Sequence, residues 1–270
     1  MALAAAAPLD VEARILTPAQ AAALVRSDAV ALGRIDVSVG LDGPEDGLWA
    51  LGTLAARGVH VLNRAGALLA THDKLLTARV LGRADVPHPR TSVLEAGAPV
   101  PEWDGPVVVK PRFGSWGRDV VRCESEAALR QHLASLEQRL WFRQRGALVQ
   151  EFVPAAGTDL RLVVAAGVVV GAIERVAAPG EWRTNVSVGG TRQPVEAPAV
   201  AFDLAVRAAA AAGMDLVGVD LLPTPDGGYT VLELNGAVDF TREYGFDRDP
   251  FAAAAAELAR HAREREVALG

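Results

Sequence analysis

The segment GVDLLPTPDGGYTVLELNG, residues 218–236, sets two apolar strands around a turn that reads Pro225-Asp226-Gly227-Gly228. Val217 to Leu222 and Tyr229 to Leu234 pattern as an antiparallel hairpin. A turn centred between Asp226 and Gly227 places Asp220 and Glu233 equally far from its centre, so the two carboxylates face each other across the ladder. Like charges directly opposite are destabilising unless something offsets them. A divalent cation would do so, and Asn235, two residues beyond Glu233 and so on the same face, adds a neutral oxygen. Two carboxylates and an amide carbonyl form a hard oxygen set suited to Mg2+ that also holds phosphate oxygens. An exposed hairpin screened by water would need no metal, but Leu221, Leu222, Val231, Leu232 and Leu234 predict a largely buried one.

Upstream, only two lysines stand against twenty-five arginines. Lys74 follows His72-Asp73 at the start of a predicted helix. Lys110 closes the apolar strand Val107-Val108-Val109 and precedes Pro111 and the loop Phe113-Gly114-Ser115-Trp116-Gly117-Arg118. Where Arg supplies ordinary surface charge, a rare Lys marks a place that needs the compact ammonium, a point charge suited to a phosphate oxygen. Two stray surface lysines are the bland alternative. Gly114 and Gly117 let backbone N–H groups approach anionic oxygens and Ser115 adds a donor, which is the makeup of a phosphate-covering flap. Alone this is ordinary turn chemistry, and the Walker spacing is absent.

Further along, Leu148-Val149-Gln150-Glu151-Phe152-Val153 is an apolar strand interrupted by a polar pair. It can offer backbone groups to an adenine edge and apolar side chains to its faces, although such a strand is more often plain core. Asp159 and Arg161, at i and i+2, share a face and suit a ribose and an anion, or form a surface ion pair worth little. Arg175, Arg183, Thr184 and Asn185, followed by Gly189-Gly190, make a second anion-seeking set or a solvated loop. The five histidines show no metal-ligand spacing and no Gly-x-Ser-x-Gly elbow is present, so hydrolase and zinc-enzyme classes lack support.

The 270 residues are half hydrophobic and 22% charged, a globular profile with room for a sizeable core. A net charge of -6 argues against nonspecific nucleic-acid binding. The lone Cys123 excludes an intramolecular disulfide and a cysteine-based zinc site. No run approaches the roughly 20 apolar residues of a membrane span, and MALAAAAPLD reads as a frayed terminus without the basic start of a signal peptide. A cytoplasmic protein is expected. Residues 1–72 read as a short α/β unit: a capping box at Thr17-Pro18-Ala19-Gln20 opens a helix to about Val25, and strand Ala29–Leu32, helix Leu48–Arg57 and strand Val59–Leu62 predict parallel pairing. Residues 73–270 mix helices with hairpins, which predicts α+β. The expected elements are helix 73–82, the strand ending at Lys110, helix 126–140 capped by Ser125, strand 147–153, a hairpin 160–165/168–176, helix 199–212, the 217–234 hairpin and a final helix from Pro250 toward Leu269.

In order, HDK, VVVKPRFGSWGRD, LVQEFV, GTDLR, AIER, WRTNVSVGG, GVDLL and VLELNG resemble the ATP-grasp superfamily and, within it, the RimK-like carboxylate–amine ligases. Each piece is weak; eight in order over residues 72 to about 240 are specific. The opening part, with VALGRID and VHVLNRAGALLATHDK, looks most like LysX-type ligases, which attach amino acids to a carrier protein's terminal carboxylate. The resemblance implies an ATP-grasp fold behind a short N-terminal α/β domain, with residues 73–270 clamping ATP between two α+β subdomains. It implies that Lys74 and Lys110 hold ATP phosphates while Gly114, Ser115 and Gly117 close over them. Glu151, Phe152 and Val153 would contact adenine, with Asp159 on the ribose side. Asp220, Glu233 and Asn235 would bind two Mg2+ ions, for which Mn2+ can substitute. Arg175 would steady an acyl phosphate beside Lys110, and Arg183, Thr184 and Asn185 would bind the nucleotide. Two departures stand out: many relatives have Gly where Arg118-Asp119 stands, and the first domain is shorter than in many RimK-like ligases.

The implied reaction joins an amino-acid donor such as glutamate to an acceptor carboxylate on a protein terminus, cofactor or small peptide, through an acyl phosphate. That chemistry asks for positioning and charge neutralisation rather than a dedicated nucleophile, which fits the absence of a triad. A homo-oligomer that engages neither nucleic acid nor membrane is expected. Two alternatives are a small-molecule kinase on the same fold and a nucleotide-binding scaffold without turnover; ADP release that needs both a carboxylate and an amine separates the ligase from both.

Arg is tolerated nearly everywhere in this chain, so Lys74→Arg and Lys110→Arg keep the charge and change only its shape. A phosphate misplaced by about 1 Å costs on the order of 100-fold in rate. Lys110→Arg is expected to impair steady-state turnover more than Lys74→Arg, with both variants folded. Parent-like turnover in both would show that the scarcity of lysine is only compositional.

Overall fold

The computed structural model describes residues 1–100 and 102–269. The chain opens with α1 (Ala2–Ala5), a short helix beside the C-terminal one where the sequence predicts a frayed end. In α2 (Pro18–Leu24) the Thr17 hydroxyl accepts from Gln20 N at 3.3 Å and the Gln20 side chain accepts from Thr17 N at 3.0 Å, completing the capping box. Strands β1 (Val30–Leu32) and β2 (His60–Leu62) pair in parallel across the crossover helix α3 (Leu48–Ala56).

Then follow α4 (Ala65–His72) and α5 (Lys74–Arg83). Asp73 caps the second through its carboxylate and receives Arg112 bidentately at 2.6 and 2.7 Å. The first was not legible: its N-cap, Arg64, makes no side-chain cap bond, so no start signal is written there.

A four-stranded antiparallel sheet runs in the order β3 (Thr91–Leu94), β6 (Ala147–Glu151), β4 (Val107–Pro111), β5 (Val121–Cys123). The predicted helix 126–140 is instead two, α6 (Glu126–Ser135) and α7 (Leu140–Arg145). At about 100° per residue, one straight helix would align Leu129 with Leu136 but turn Trp141 some 140° away. The break after Ser135 lets all of them, with Phe142, enter one apolar cluster.

The second sheet has the order β11 (Tyr229–Asn235), β10 (Leu216–Pro223), β7 (Thr158–Ala165), β8 (Val168–Val176), β9 (Thr191–Pro194), again antiparallel throughout. Helix α8 (Ala199–Ala211) packs on it, and α9 (Pro250–Leu269) ends the chain. The strands β3, β5 and β9 that the sequence does not announce are all edges, short and largely polar or exposed, where alternation has little to bury. No helix among the described residues is long and apolar enough to cross a membrane.

Leu54, Val61 and Leu68 from the first part share one core with Leu162, Val219 and Leu234 of the five-stranded sheet. Asn63, at φ +51 and 1% exposed, fastens the two parts. Its side-chain oxygen accepts from Asp215 N and Leu216 N at 2.9 Å, and its amide donates to Leu216 O at 2.9 Å and Gly33 O at 3.2 Å.

Asn63→Ala strands these buried groups at about 1–3 kcal/mol each. Chemical denaturation is expected to show a loss of at least about 3 kcal/mol, while a loss under about 1 kcal/mol would mean that the apolar core alone holds the first part in place.

Candidate active site

The site begins at the 218–236 hairpin. Asp220 pairs with Glu233 as the symmetric turn predicts, but by another route. Nearer the turn the pairs are Leu222 with Thr230 and Leu221 with Val231, one residue off that register. Leu232 is left without a partner as a β-bulge, and the extra residue restores Asp220 opposite Glu233. Bulges re-aim side chains, and here consecutive Leu232 and Glu233 both line one cavity. Leu221, Val231 and Leu234 go to the core instead.

That cavity, about 560 Å3, is lined by the residues to which the resemblance assigns a role: Lys74, Lys110, Gly114, Ser115, Gly117, Glu151 to Val153, Asp159, Arg175, Arg183 to Asn185, Asp220, Glu233 and Asn235. It contacts both the four-stranded and the five-stranded sheet. On its floor lies a buried ion cluster. Arg175 donates to Asp159 twice at 2.6 Å and to Asp220 at 2.9 Å; Arg161 donates to Asp220 at 2.6 and 2.7 Å. Thr184 donates to Asp159 at 2.5 Å. Asp159 and Arg161 therefore do not pair with each other, as their i, i+2 spacing allowed. Both reach across the ladder, and both oxygens of Asp159 are engaged from the cavity side.

The opposed carboxylates are offset by protein cations: Arg161 and Arg175 hold Asp220, and Lys74 lies 3.3 Å from Glu233. Burial pushes the Asp220 carboxyl up, but the two guanidiniums more than compensate and hold it well below the usual carboxylate range.

Lys110 makes no ion pair among the described residues; its ammonium donates to Gln150 Oε1 at 2.7 Å. Gln150 is fixed in turn by donating to Thr91 Oγ1 at 2.8 Å and lying 3.3 Å from His88 Nε2, while His88 Nδ1 meets Val231 O at 2.6 Å. This support spans both sheets and was not legible in the sequence, because Gln150 and His88 are 62 residues apart. Burial, with Lys74 nearby, pushes the Lys110 ammonium down to about 8.

Phe152 and Trp182 meet edge to face at 5.8 Å, with the Arg122 guanidinium 3.8 Å over Phe152. Together with Leu222 and Leu232 they form an apolar slot on the same cavity. Glu151 N and Phe152 N are occupied by Arg90 O and Pro106 O, whereas Val153 N has no acceptor among the described residues. Arg183 forks onto Glu181 at 2.7 and 3.1 Å and holds that carboxyl down to about 2.

The donor set tolerates a hard cation. Among the described residues Glu233 accepts only from Lys74, and the buried Asn235 Nδ2 has no partner, so this amide is not committed to them. Asp220, already accepting three hydrogen bonds, has little capacity left. No three His, Cys, Asp or Glu side chains among the described residues form a ready cage, which suits an ion shared with phosphate oxygens.

The RimK-like ATP-grasp domain matches residues 71–260. The chain belongs to the RimK-like ATP-grasp family. With the family comes ATP-dependent carboxylate–amine ligation as the chemistry. This RimK-like chain is 31% identical over 215 residues to the glutamate–LysW ligase ArgX of Sulfurisphaera tokodaii, covering 78% of the chain and 76% of that protein. It is 35% identical over 190 residues to a probable alpha-L-glutamate ligase of Parasynechococcus marenigrum, covering 67% of the chain but only 39% of that protein. The D-alanine–D-alanine ligase of Bacillus anthracis complexed with ATP superposes with a TM-score of 0.69 at 16% identity, over 99% of the chain and 92% of that one, a likeness of fold.

Unfolded, the Lys110 ammonium keeps its proton to about 10.5; folded, it releases it at about 8. Between those values the unfolded chain binds more protons, so this lysine makes the fold more stable as pH rises through the window. Phosphate beside the ammonium reverses the shift. Binding of the non-hydrolysable analogue AMPPNP at a pH just above 8 is therefore expected to take up protons, seen as calorimetric heats that change with buffer ionisation enthalpy. Lys110→Met should abolish that dependence. Heats independent of buffer in the parent would disprove the contact.

Proposed function

We propose that the chain joins glutamate, as amine donor, to a carboxylate carried by a peptide or carrier protein. The glutamate assignment follows the names of the two relatives, and the peptide or carrier acceptor follows the LysW ligase. The observation that carries the site assignment is Lys110: a buried ammonium without a carboxylate, in a cavity whose other central charges are paired. An anionic chain entering that cavity finds a buried, unpaired cation there.

In this reading Lys110 and Lys74 hold the β- and γ-phosphates, with Ser115 and the backbone of Gly114 to Gly117 above them. Adenine lies in the slot of Phe152, Trp182, Leu222 and Leu232 and accepts from Val153 N. Asp159 acts from beneath by holding Arg175, in place of the ribose contact the resemblance implies. Glu233, Asn235 and the remaining capacity of Asp220 would hold two Mg2+ ions. When bound, these ions supply Lewis-acid neutralisation of the phosphoryl oxygens.

A carboxylate oxygen of the acceptor attacks the γ-phosphorus, the bond to the β–γ bridging oxygen breaks, and ADP leaves. The amine nitrogen then forms the C–N bond as the acyl C–O bond to phosphate breaks and the amine loses a proton. Arg175, fixed by Asp159 and Asp220, has no conformational freedom to lose as charge moves onto the acyl phosphate beside it.

A screen of ADP release with glutamate against peptides and carrier proteins should find an acceptor. On that acceptor, ATP and hydroxylamine without glutamate should yield a hydroxamate, and Arg175→Ala should suppress hydroxamate and amide together. Amide formation that never gives hydroxamate, or ADP release indifferent to the amine and the carboxylate, would contradict the reading.

A further inference from the structure

A second cavity, about 330 Å3, shares Lys74, Ser115, Arg175, Glu233 and Asn235 with the first. Its far wall comes from residues given no role so far. Arg34, Asp36 and Val37 follow β1, while Ala237, Val238 and Asp239 follow β11. Arg34 ties these segments together by donating to Ala237 O at 3.2 Å and Val238 O at 3.5 Å. From behind, His72 Nε2 meets Ile35 O at 2.5 Å, and burial lowers the pKa of that imidazole.

The charges on this wall differ in kind from those of the inner cavity. There Lys74, Arg161, Arg175, Asp220 and Glu233 are all in ion pairs. On the far wall Arg34 touches only carbonyl oxygens, Asp36 accepts only from Val37 N at 2.7 Å, and Asp239 is exposed; none of the three is in an ion pair among the described residues. Arg192 at the rim is paired with Glu243 at 2.9 Å. One guanidinium and two carboxylates left unpaired around one pocket are the complement of a zwitterion. A simple carboxylate would meet Arg34 but be repelled by both acids.

We propose that this second cavity is the amine-donor site and takes a free α-amino acid, its ammonium received by Asp36 and Asp239 and its α-carboxylate by Arg34. The proposal rests on the ligase reading. Arg175 and Asn235 form the wall this cavity shares with the first, where the carboxyl is activated.

The test uses the full chain saturated with Mg2+ and AMPPNP, titrated calorimetrically with L-glutamate and with glutarate, which lacks only the ammonium. Glutarate is expected to bind the parent at least about 10-fold more weakly than glutamate, the scale of one lost charge-assisted contact. The double variant Asp36→Asn, Asp239→Asn should weaken glutamate about 10-fold or more and close most of the gap to glutarate. Arg34→Gln should weaken both ligands, and AMPPNP affinity should stay within about twofold throughout. Equal binding of glutarate and glutamate to the parent, which needs no variant to fold, overturns the proposal, as does full glutamate affinity in the double variant. If another L-amino acid from a panel binds with the same dependence while glutamate does not, the site stands and glutamate falls. If AMPPNP binds but no amino acid does, this inference alone fails; if AMPPNP does not bind, the ligase reading fails with it.

Discussion

Arg175 lies between Asp159 and Asp220, and Arg161 closes the other side of Asp220, so that two guanidiniums and two carboxylates neutralise one another in the interior of the five-stranded sheet. Buried charges are tolerated only when paired and hydrogen-bonded, and losing one partner costs about 3–5 kcal/mol. The cluster joins β7, β8 and β10 below the cavity and decides which charges above it remain free. Because Asp220 is already satisfied from below, Glu233 and Asn235 are the more open oxygen donors of the hairpin. Because Arg175 is held by two acids, it presents a fixed edge to the cavity instead of folding onto the nearest phosphate.

The same arrangement explains why Lys110 stands apart. It is the central cation answered by an amide rather than a carboxylate, and that amide is itself oriented by Thr91 and His88. Gln150 directs its NH2 at two acceptors, so its carbonyl must face Lys110. A neutral partner leaves the ammonium destabilised by burial until an anion arrives. The cavity is thus electrostatically incomplete in one place.

Much of this was legible because the informative residues repeat short local rules. The facing of Asp220 and Glu233 follows from counting back from a Pro-Asp-Gly-Gly turn, and the capping box and Asp73 cap follow from helix-start chemistry. The count nevertheless reached the right pair through a bulge it did not contain, since Leu232 adds one residue after the register nearer the turn has slipped by one. What stayed hidden is the long-range pairing. Asp159 and Arg161 look like partners at i and i+2, yet each finds a better one across the ladder, where strand register brings a fixed fork opposite a carboxylate. Arg34 and Asp239, some two hundred residues apart, carry no local signal at all. Edge strands and the break after Ser135 were missed because their reasons are tertiary: an edge needs no apolar face, and the break exists to bury Trp141 with Leu136.

The flap brings the two kinds of information together. Trp116, Gly117 and Asp119 all take positive φ, +61, +68 and +53, a conformation for which glycine is the ordinary choice. Asp119 accepts the strain and offsets it with its side chain, receiving the Arg139 guanidinium and Trp141 Nε1, the latter at 3.0 Å. On the opposite flank Ser187 Oγ donates to Trp116 O at 2.8 Å, and Gly117 lies so near Asn185 that an added Cβ would stand 3.0 Å from its Oδ1. The loop is therefore tied to α7 on one side and to the 185–187 turn on the other, while Trp116 itself remains 57% exposed at the mouth of both cavities. A glycine at 119 would relax the backbone and release the α7 tether. Aspartate at 119 thus holds the loop that carries Ser115 against α7, with the exposed Trp116 as the part of the flap left to meet whatever enters.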